Sequence, residues 1–296
     1  MTRYLLALLA LLPACTQAKA PAPQPAQAPA KPALWKIVDP DTTIYLFGTI
    51  HALPPGTRWQ SPTLRAAMAR SDSLVLEVGN LGDTAALAAA FQSLAVSPGL
   101  PPVLTRVAPA KRKRLEAALT AAKLPIAAAD RMESWAVALS LVAATVPRLG
   151  FSREAGVEAK LRAAFDARGV KTEGLETAAQ QFGYFDGLSE SAQRRLLEAA
   201  LEDEGKAKQE FARMLAAWRV GDVARIALTF DDELKTSPEL TKALLDRRNA
   251  AWVEWLAARM KAPGTVFVAV GAGHLAGRQS LTRLATGKGL RVLRVQ

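Results

Sequence analysis

The chain of 296 residues carries two histidines, and each closes a Gly-x-x-His tetrad: Gly48-Thr49-Ile50-His51 near the start, Gly271-Ala272-Gly273-His274 near the end. Imidazole is both a metal ligand and a general acid or base near neutral pH. Each tetrad follows an apolar, β-branched run, Thr43 to Phe47 and Thr265 to Val270. A glycine at the end of a strand admits a turn that a Cβ would hinder. The residues past that turn lie at the carboxyl edge of a sheet, where α/β proteins place their sites. The two tetrads therefore read as halves of one site; two unrelated surface histidines are the plain alternative.

A third group comes from Ser73 to Val78, a near-continuous apolar strand interrupted by Glu77. A carboxylate there is costly unless it is paired, hydrogen-bonded or metal-bound; an exposed edge position is the alternative. Glu176 follows the short strand at 170–172. It reads either as a carboxylate near a helix N-terminus or as a pocket residue. Arg247-Arg248-Asn249 opens the second half of an amphipathic segment. Arg248 at a pocket edge would bind a carboxylate or an oxyanion, and a surface ion pair is the commoner fate of an arginine.

These residues must be positioned by the elements around them. Leu34 to Val38 and Thr43 to Phe47 flank the turn sequence Asp39-Pro40-Asp41 and read as a hairpin. Arg58 and Trp59, in the loop after His51, stand where they can line a pocket mouth. Ser61 and Pro62 start a helix to Arg70. From Ala85 to Arg168 the periods are helical, with Leu115 and Leu119 on one face and Trp135, Leu139 and Val142 on another. Met132, Trp135 and Met214 read as core. Ser189–Val220 and Pro238–Met260 are long and amphipathic. After Pro263-Gly264 comes the strand ending at Gly271, then a helix expected from Leu275, then a closing strand over 290–295. Glycines at 271, 273 and 277 lack the G-x-G-x-x-G spacing of a dinucleotide fingerprint. The expected fold is α/β: a central mixed sheet built from both chain ends, with a large helical insertion at roughly 85–168 and flanking helices.

The formal net charge is +11. The basic residues are dispersed along helical segments, and the densest run, Lys111-Arg112-Lys113-Arg114, reads as a solvated helix start. Nucleic acid is therefore not the expected partner. Residues 1–15 read as an export signal: Arg3, the apolar core Leu5 to Leu12, then Leu12-Pro13-Ala14-Cys15, which resembles a bacterial lipoprotein box. The lone Cys15 excludes an intramolecular disulfide and is better explained by lipid attachment; cleavage elsewhere, giving a soluble periplasmic protein, is the alternative. Residues 16–33 form a Pro/Ala-rich tether, and 34–296 the folded domain. The expected location is the bacterial envelope, facing the periplasm, as a lipoprotein of the outer membrane. Oligomeric state is not legible.

In order, Leu46-Phe47-Gly48-Thr49-Ile50-His51, Leu74-Val75-Leu76-Glu77, Gly174-Leu175-Glu176-Thr177 with Gln181, Arg248-Asn249, and Val270-Gly271-Ala272-Gly273-His274-Leu275 with Gly277 resemble the TraB/GumN family, which includes the pheromone-shutdown proteins and the animal Tiki proteases. The resemblance covers nearly all of 34–296. It implies a divalent-metal-dependent hydrolase fold related to erythromycin esterases and to a haem-linked iron-uptake lipoprotein family. It ties His51, His274 and Glu77 to metal-dependent peptide cleavage, with Gly48, Glu176, Asn249, Gly271 and Gly273 lining the pocket.

The resulting expectation is an exported metallohydrolase, a peptidase in type. His51, His274 and Glu77 would hold Mn²⁺, Co²⁺ or Zn²⁺, Glu77 being either ligand or base, and Arg248 would steady an oxyanion. The substrate would be a peptide or a small molecule. The rival readings are a non-catalytic envelope protein that binds a peptide or small ligand, and a metal-free esterase with a histidine base.

Overall fold

The computed structural model describes residues 30–79, 82–234 and 237–296. The export signal, Cys15 and most of the tether lie outside the described residues. Six strands form one mixed sheet in the order β4-β3-β5-β2-β1-β6. β1 (Leu34–Val38) and β2 (Thr42–Thr49) make the expected antiparallel hairpin, Leu34 opposite Phe47 and Val38 opposite Thr43. β3 (Ser73–Val78), β4 (Thr172–Glu176) and β5 (Gly264–Gly271) run parallel to one another and to β2. β6 (Val292–Arg294) closes the far edge against β1.

The two tetrads thus meet through the sheet itself: Thr43 pairs with Thr265 and Thr49 with Gly271, in unbroken register between β2 and β5. β5 is buried between β3 and β2, which is why its sequence is apolar on both faces. Val266, Val268 and Val270 pack on one side with Ile44, Leu46, Trp252 and Leu256. Phe267 and Ala269 pack on the other with Tyr45, Phe47, Leu74 and Leu76.

The helices that matter to the site are few. Past β2, α1 (Pro62–Arg70) starts on its Ser61 cap, whose side chain accepts from Leu64 N. Between β3 and β4 run α2 (Thr84–Ala95), α3 (Arg112–Ala121), α4 (Ser134–Arg148) and α5 (Val157–Asp166). Their core is the expected one, with Leu115, Leu119, Trp135, Leu139 and Val142 buried. After β4 come α6 (Ala178–Asp186), α7 (Glu190–Ala199), α8 (Glu204–Arg219), α9 (Val223–Leu234) and α10 (Arg247–Arg259), the last entered through a π turn at Lys242–Asp246. α11 (Leu281–Gly287) precedes β6. Ala30 and Ala33, at the end of the tether, are already buried, and Lys31 N donates to Arg219 O at 2.7 Å.

One expectation fails at the second tetrad. No helix starts at Leu275; Ala272–Leu275 is a single 3₁₀ turn, and the helix begins at Leu281. Ala276 is extended, and Gly277 has φ +82°, a left-handed conformation that cannot continue a right-handed helix. The turn holds His274 against the end of β5 instead of carrying it away on a helix.

Candidate active site

The site residues carried by the sheet sit at or just past the carboxyl ends of parallel strands. Thr49 ends β2 and His51 follows it; Glu77 is the penultimate residue of β3; Glu176 ends β4; Gly271 ends β5 and His274 follows. A Cβ placed on Gly271 would lie 3.2 Å from Glu77 Oε1, 3.6 Å from His51 Nε2 and 3.7 Å from His274 Cδ2. The three sequence-predicted residues therefore surround one point, and a side chain at 271 would fill it. Gly48 serves the same approach: its Cβ would press on the Cα of Ala272 at 3.2 Å. Trp218 Nε1 donates to Gly48 O at 2.8 Å and fixes that end of β2. Gly273 is buried inside the 3₁₀ turn.

Both imidazoles are held through Nδ1. His274 Nδ1 lies 2.7 Å from Asn249 Oδ1, an acceptor, so Nδ1 carries the proton and Nε2 keeps its lone pair. Asn249 is itself fixed by donating to Gln279 O at 2.7 Å. His51 Nδ1 lies 2.5 Å from Glu158 Oε1, and Thr49 Oγ1 donates to the same oxygen. Burial works against a charged His51, but Glu158 beside it, with Glu77, holds its pKa above the ordinary value. For His274 burial dominates, aided by Arg248 and His51 against Glu77, and the pKa falls to about 3. His274 is therefore neutral at physiological pH.

Arg248 is fully buried between two carboxylates. Its Nη2 donates to Glu77 Oε2 and to Glu176 Oε1, both at 2.5 Å, and its Nη1 lies 3.2 Å from His274 Nε2. The Trp252 ring stacks beneath it at 4.6 Å. Glu77 is thus neither an exposed edge carboxylate nor unpaired. Besides Arg248 it accepts from Gly271 N at 2.6 Å and from Gln181 Nε2 at 3.0 Å. Burial would raise its pKa, and Arg248, His274 and His51 overcome it, so the carboxyl lies well below its ordinary range. Glu176 goes the other way. Burial and the charge of Glu77 outweigh Arg248, and its pKa is raised. Of the two carboxylates sharing the guanidinium, Glu176 is the one that takes a proton first. Glu176 is thus a buried partner of Arg248 directly before the Thr177 helix cap, and Arg248 is no surface ion pair.

Glu158 is the functional group that the motifs missed. The signal was present: Glu158, Leu161 and Phe165 share the buried face of α5, and a carboxylate on an apolar helix face needs a partner.

The donor set suits a divalent ion in type. It offers two imidazole Nε2 atoms, each with its opposite nitrogen tied to an oxygen acceptor as is usual for metal-bound histidine. Glu77 Oε1 stands 3.7 Å from His274 Nε2 and has one hydrogen bond. Glu77 and Glu176 share the guanidinium of Arg248, while Glu158 is paired with His51. Among the described residues no three such ligands are drawn together tightly enough to bind an ion as they stand. Arg248 Nη1, on the lone pair of His274, must give way for one to enter. Arg58 and Trp59 line a cavity, but none of the residues above does.

No curated protein and no solved structure matches the chain. Residues 33–294 match the model of the TraB/PrgY/gumN family. That span includes both tetrads, Glu77, Glu158, Glu176 and Arg248 with Asn249, and the chain belongs to the TraB/PrgY/gumN family.

Proposed function

We propose that this chain is an exported hydrolase that holds a divalent ion between His51, His274 and Glu77 and cleaves a peptide bond. The observation that carries the reading is the matched tethering of the two imidazoles. Glu158 and Asn249 each accept a hydrogen bond from Nδ1, which turns both Nε2 atoms toward Gly271 and Glu77. The chemistry that such an ion supplies is Lewis acidity toward a carbonyl and toward water. The chain's own residues do the rest. Glu158, steadied by Thr49, fixes the tautomer and ring plane of His51; Asn249 does so for His274. Gln181 and Arg248 hold the far oxygen of Glu77, leaving Oε1 turned toward the histidines. Arg248 Nη1 is the group placed to meet negative charge developing next to His274. The peptide specificity rests on the family resemblance to metal-dependent proteases.

A second reading has its own observation. The Glu158–His51 pair is the arrangement of a carboxylate-oriented general base, and Arg248 already lies between Glu77 and His274. A metal-free hydrolase would use His51 Nε2 to take a proton from water, with Glu158 stabilising the imidazolium. The two readings separate by calorimetric titration of the full-length protein with Mn²⁺, Co²⁺ and Zn²⁺, together with elemental analysis. The expected result is one bound ion and at least tenfold weaker binding in His274→Ala. If His274→Ala binds as tightly as the parent, the two-histidine site is wrong. Peptide turnover that survives chelation selects the metal-free base.

The same reading places the protein in the bacterial envelope, anchored to the outer membrane through lipid on Cys15 and facing the periplasm. No helix among the described residues is long and apolar enough to cross a membrane; the proposed anchor rests on the apolar run Leu5 to Leu12 and the cysteine that follows it. The intact mass of membrane-extracted protein is expected to include the lipid on a chain that begins at Cys15. A soluble product cleaved at another residue overturns this.

A further inference from the structure

Arg58 and Trp59 belong to a second feature, outside the buried site. The loop after His51, the start of α1 and the start of α5 enclose a cavity of about 570 Å³. That is within the range of small-molecule pockets. Among the described residues its charged lining is all positive: Arg58, Arg65 and Lys160, with no carboxylate. Among the described residues neither Arg58 nor Lys160 makes an ion pair. Arg65 spends Nη1 on Gln60 O at 2.6 Å. Glu154, which precedes the helix of Lys160, lies outside the lining and accepts from Ser152 Oγ at 2.5 Å; Arg153 and Lys160 are close enough to help hold its carboxyl below the ordinary range without a direct ion pair from Lys160. The Trp59 side chain forms an apolar wall, buried and stacked on Phe47 with ring centroids 5.7 Å apart. α1, nine residues long, begins in the lining at Pro62 and has no acidic residue in its first turn. Its dipole therefore adds to the positive field.

We propose that this cavity is a binding site for a small organic anion, one carrying phosphate or more than one carboxylate. Arginine forks and a lysine converging on one hollow recognise such groups by charge-assisted hydrogen bonds. The apolar wall at Trp59 favours an anion with a carbon skeleton. The site is tied to the catalytic candidates by backbone. Leu53 and Ser152 exchange hydrogen bonds at 3.0 and 2.9 Å, and Val157 N donates to Ile50 O at 3.1 Å. The loop with Arg58 is continuous with His51, and the helix with Lys160 is the one that carries Glu158. A ligand bridging Arg58 and Lys160 therefore clamps the two segments whose other ends form the His51–Glu158 contact. The site itself does not depend on whether the protein is a hydrolase.

The test is calorimetric titration of the full-length protein with two probes, citrate and inorganic phosphate, at fixed ionic strength. Saturable binding of at least one probe is expected, with Kd raised at least tenfold in Arg58→Gln/Lys160→Gln. The control Lys113→Gln/Arg114→Gln, on the exposed start of α3, is expected to leave Kd unchanged. Both double variants replace exposed side chains, so unchanged melting temperatures certify that they fold. The proposal is overturned by lack of saturable binding in the parent, by an unchanged Kd in Arg58→Gln/Lys160→Gln, or by equal weakening in both double variants, which would signal diffuse charge only.

Discussion

Gly156→Ala lowers the melting temperature by roughly 6–12 °C, the equivalent of about 3 kcal/mol in a domain of this size. Gly156 caps α5 with φ −58° and ψ 158°, angles any residue adopts, so the effect is one of space alone. A Cβ there would lie 2.7 Å from the carbonyl carbon of His51, closer still to its oxygen, and 2.8 Å from Arg153 O. These are backbone atoms that no rotamer change can move. Val157 N donates to Ile50 O, so relief requires the two segments to part. Parting them also separates His51 from Glu158, and metal affinity or turnover is expected to fall along with stability. The matched control is Gly183→Ala in the middle of α6, where a Cβ meets nothing within 4 Å. That change is expected to be neutral, or to stabilise by about 0.5–1 kcal/mol through helix propensity. Thermal unfolding of the two variants checks both. Equal melting temperatures would mean that the close approach at 156 does not govern the fold.

The residues legible in the sequence were those whose local context already posed a problem. His51 and His274 stood out as the chain's two imidazoles, each after a strand and a glycine. Glu77 stood out as a carboxylate inside an apolar strand, where burial demands a partner. That β2 and β5 share one sheet followed from two β-branched runs at opposite ends of the chain; their direct pairing is a finding of the structure. For Glu176 and Arg248 the sequence admits two readings each. Both lie at element ends, where a solvated charge and a buried one have the same local sequence. What decides is α10 packing across the sheet edge, a contact between residues more than seventy positions apart. Glu158 is hard to pick out in sequence because a glutamate in the first turn of a helix is ordinarily a favourable exposed charge. Its partner lies 107 residues away. The helix expected from Leu275, directly after the glycine turn, does not form because Gly277 takes a positive φ, and the helix starts at Leu281 instead.

Arg248→Met is expected to cost about 3–5 kcal/mol at pH 7 in metal-free protein, since it leaves two buried carboxylates without their shared cation. Methionine keeps much of the volume over Trp252, so a cavity accounts for little of the loss. The pH dependence identifies the cause. In the parent, the Glu77 pKa lies below its unfolded value near 4.5. Its contribution to stability is complete above that value and is lost as pH falls through it toward the folded pKa. Glu176, with a raised pKa, contributes in the opposite sense: stability present below about 4.5 is lost as pH rises through its folded pKa. Removing Arg248 raises both carboxyls, and two neighbouring carboxylates then share a proton. The variant therefore gains stability from pH 7 to pH 5, and its gap to the parent narrows over that interval. Urea unfolding at pH 5, 6, 7 and 8 measures the gap. Adding Glu176→Gln to Arg248→Met removes one of the stranded charges and is expected to recover a substantial part of the loss. A gap independent of pH, with no recovery in the double variant, would show that Arg248 acts by packing and that Glu77 does not depend on it for its charge.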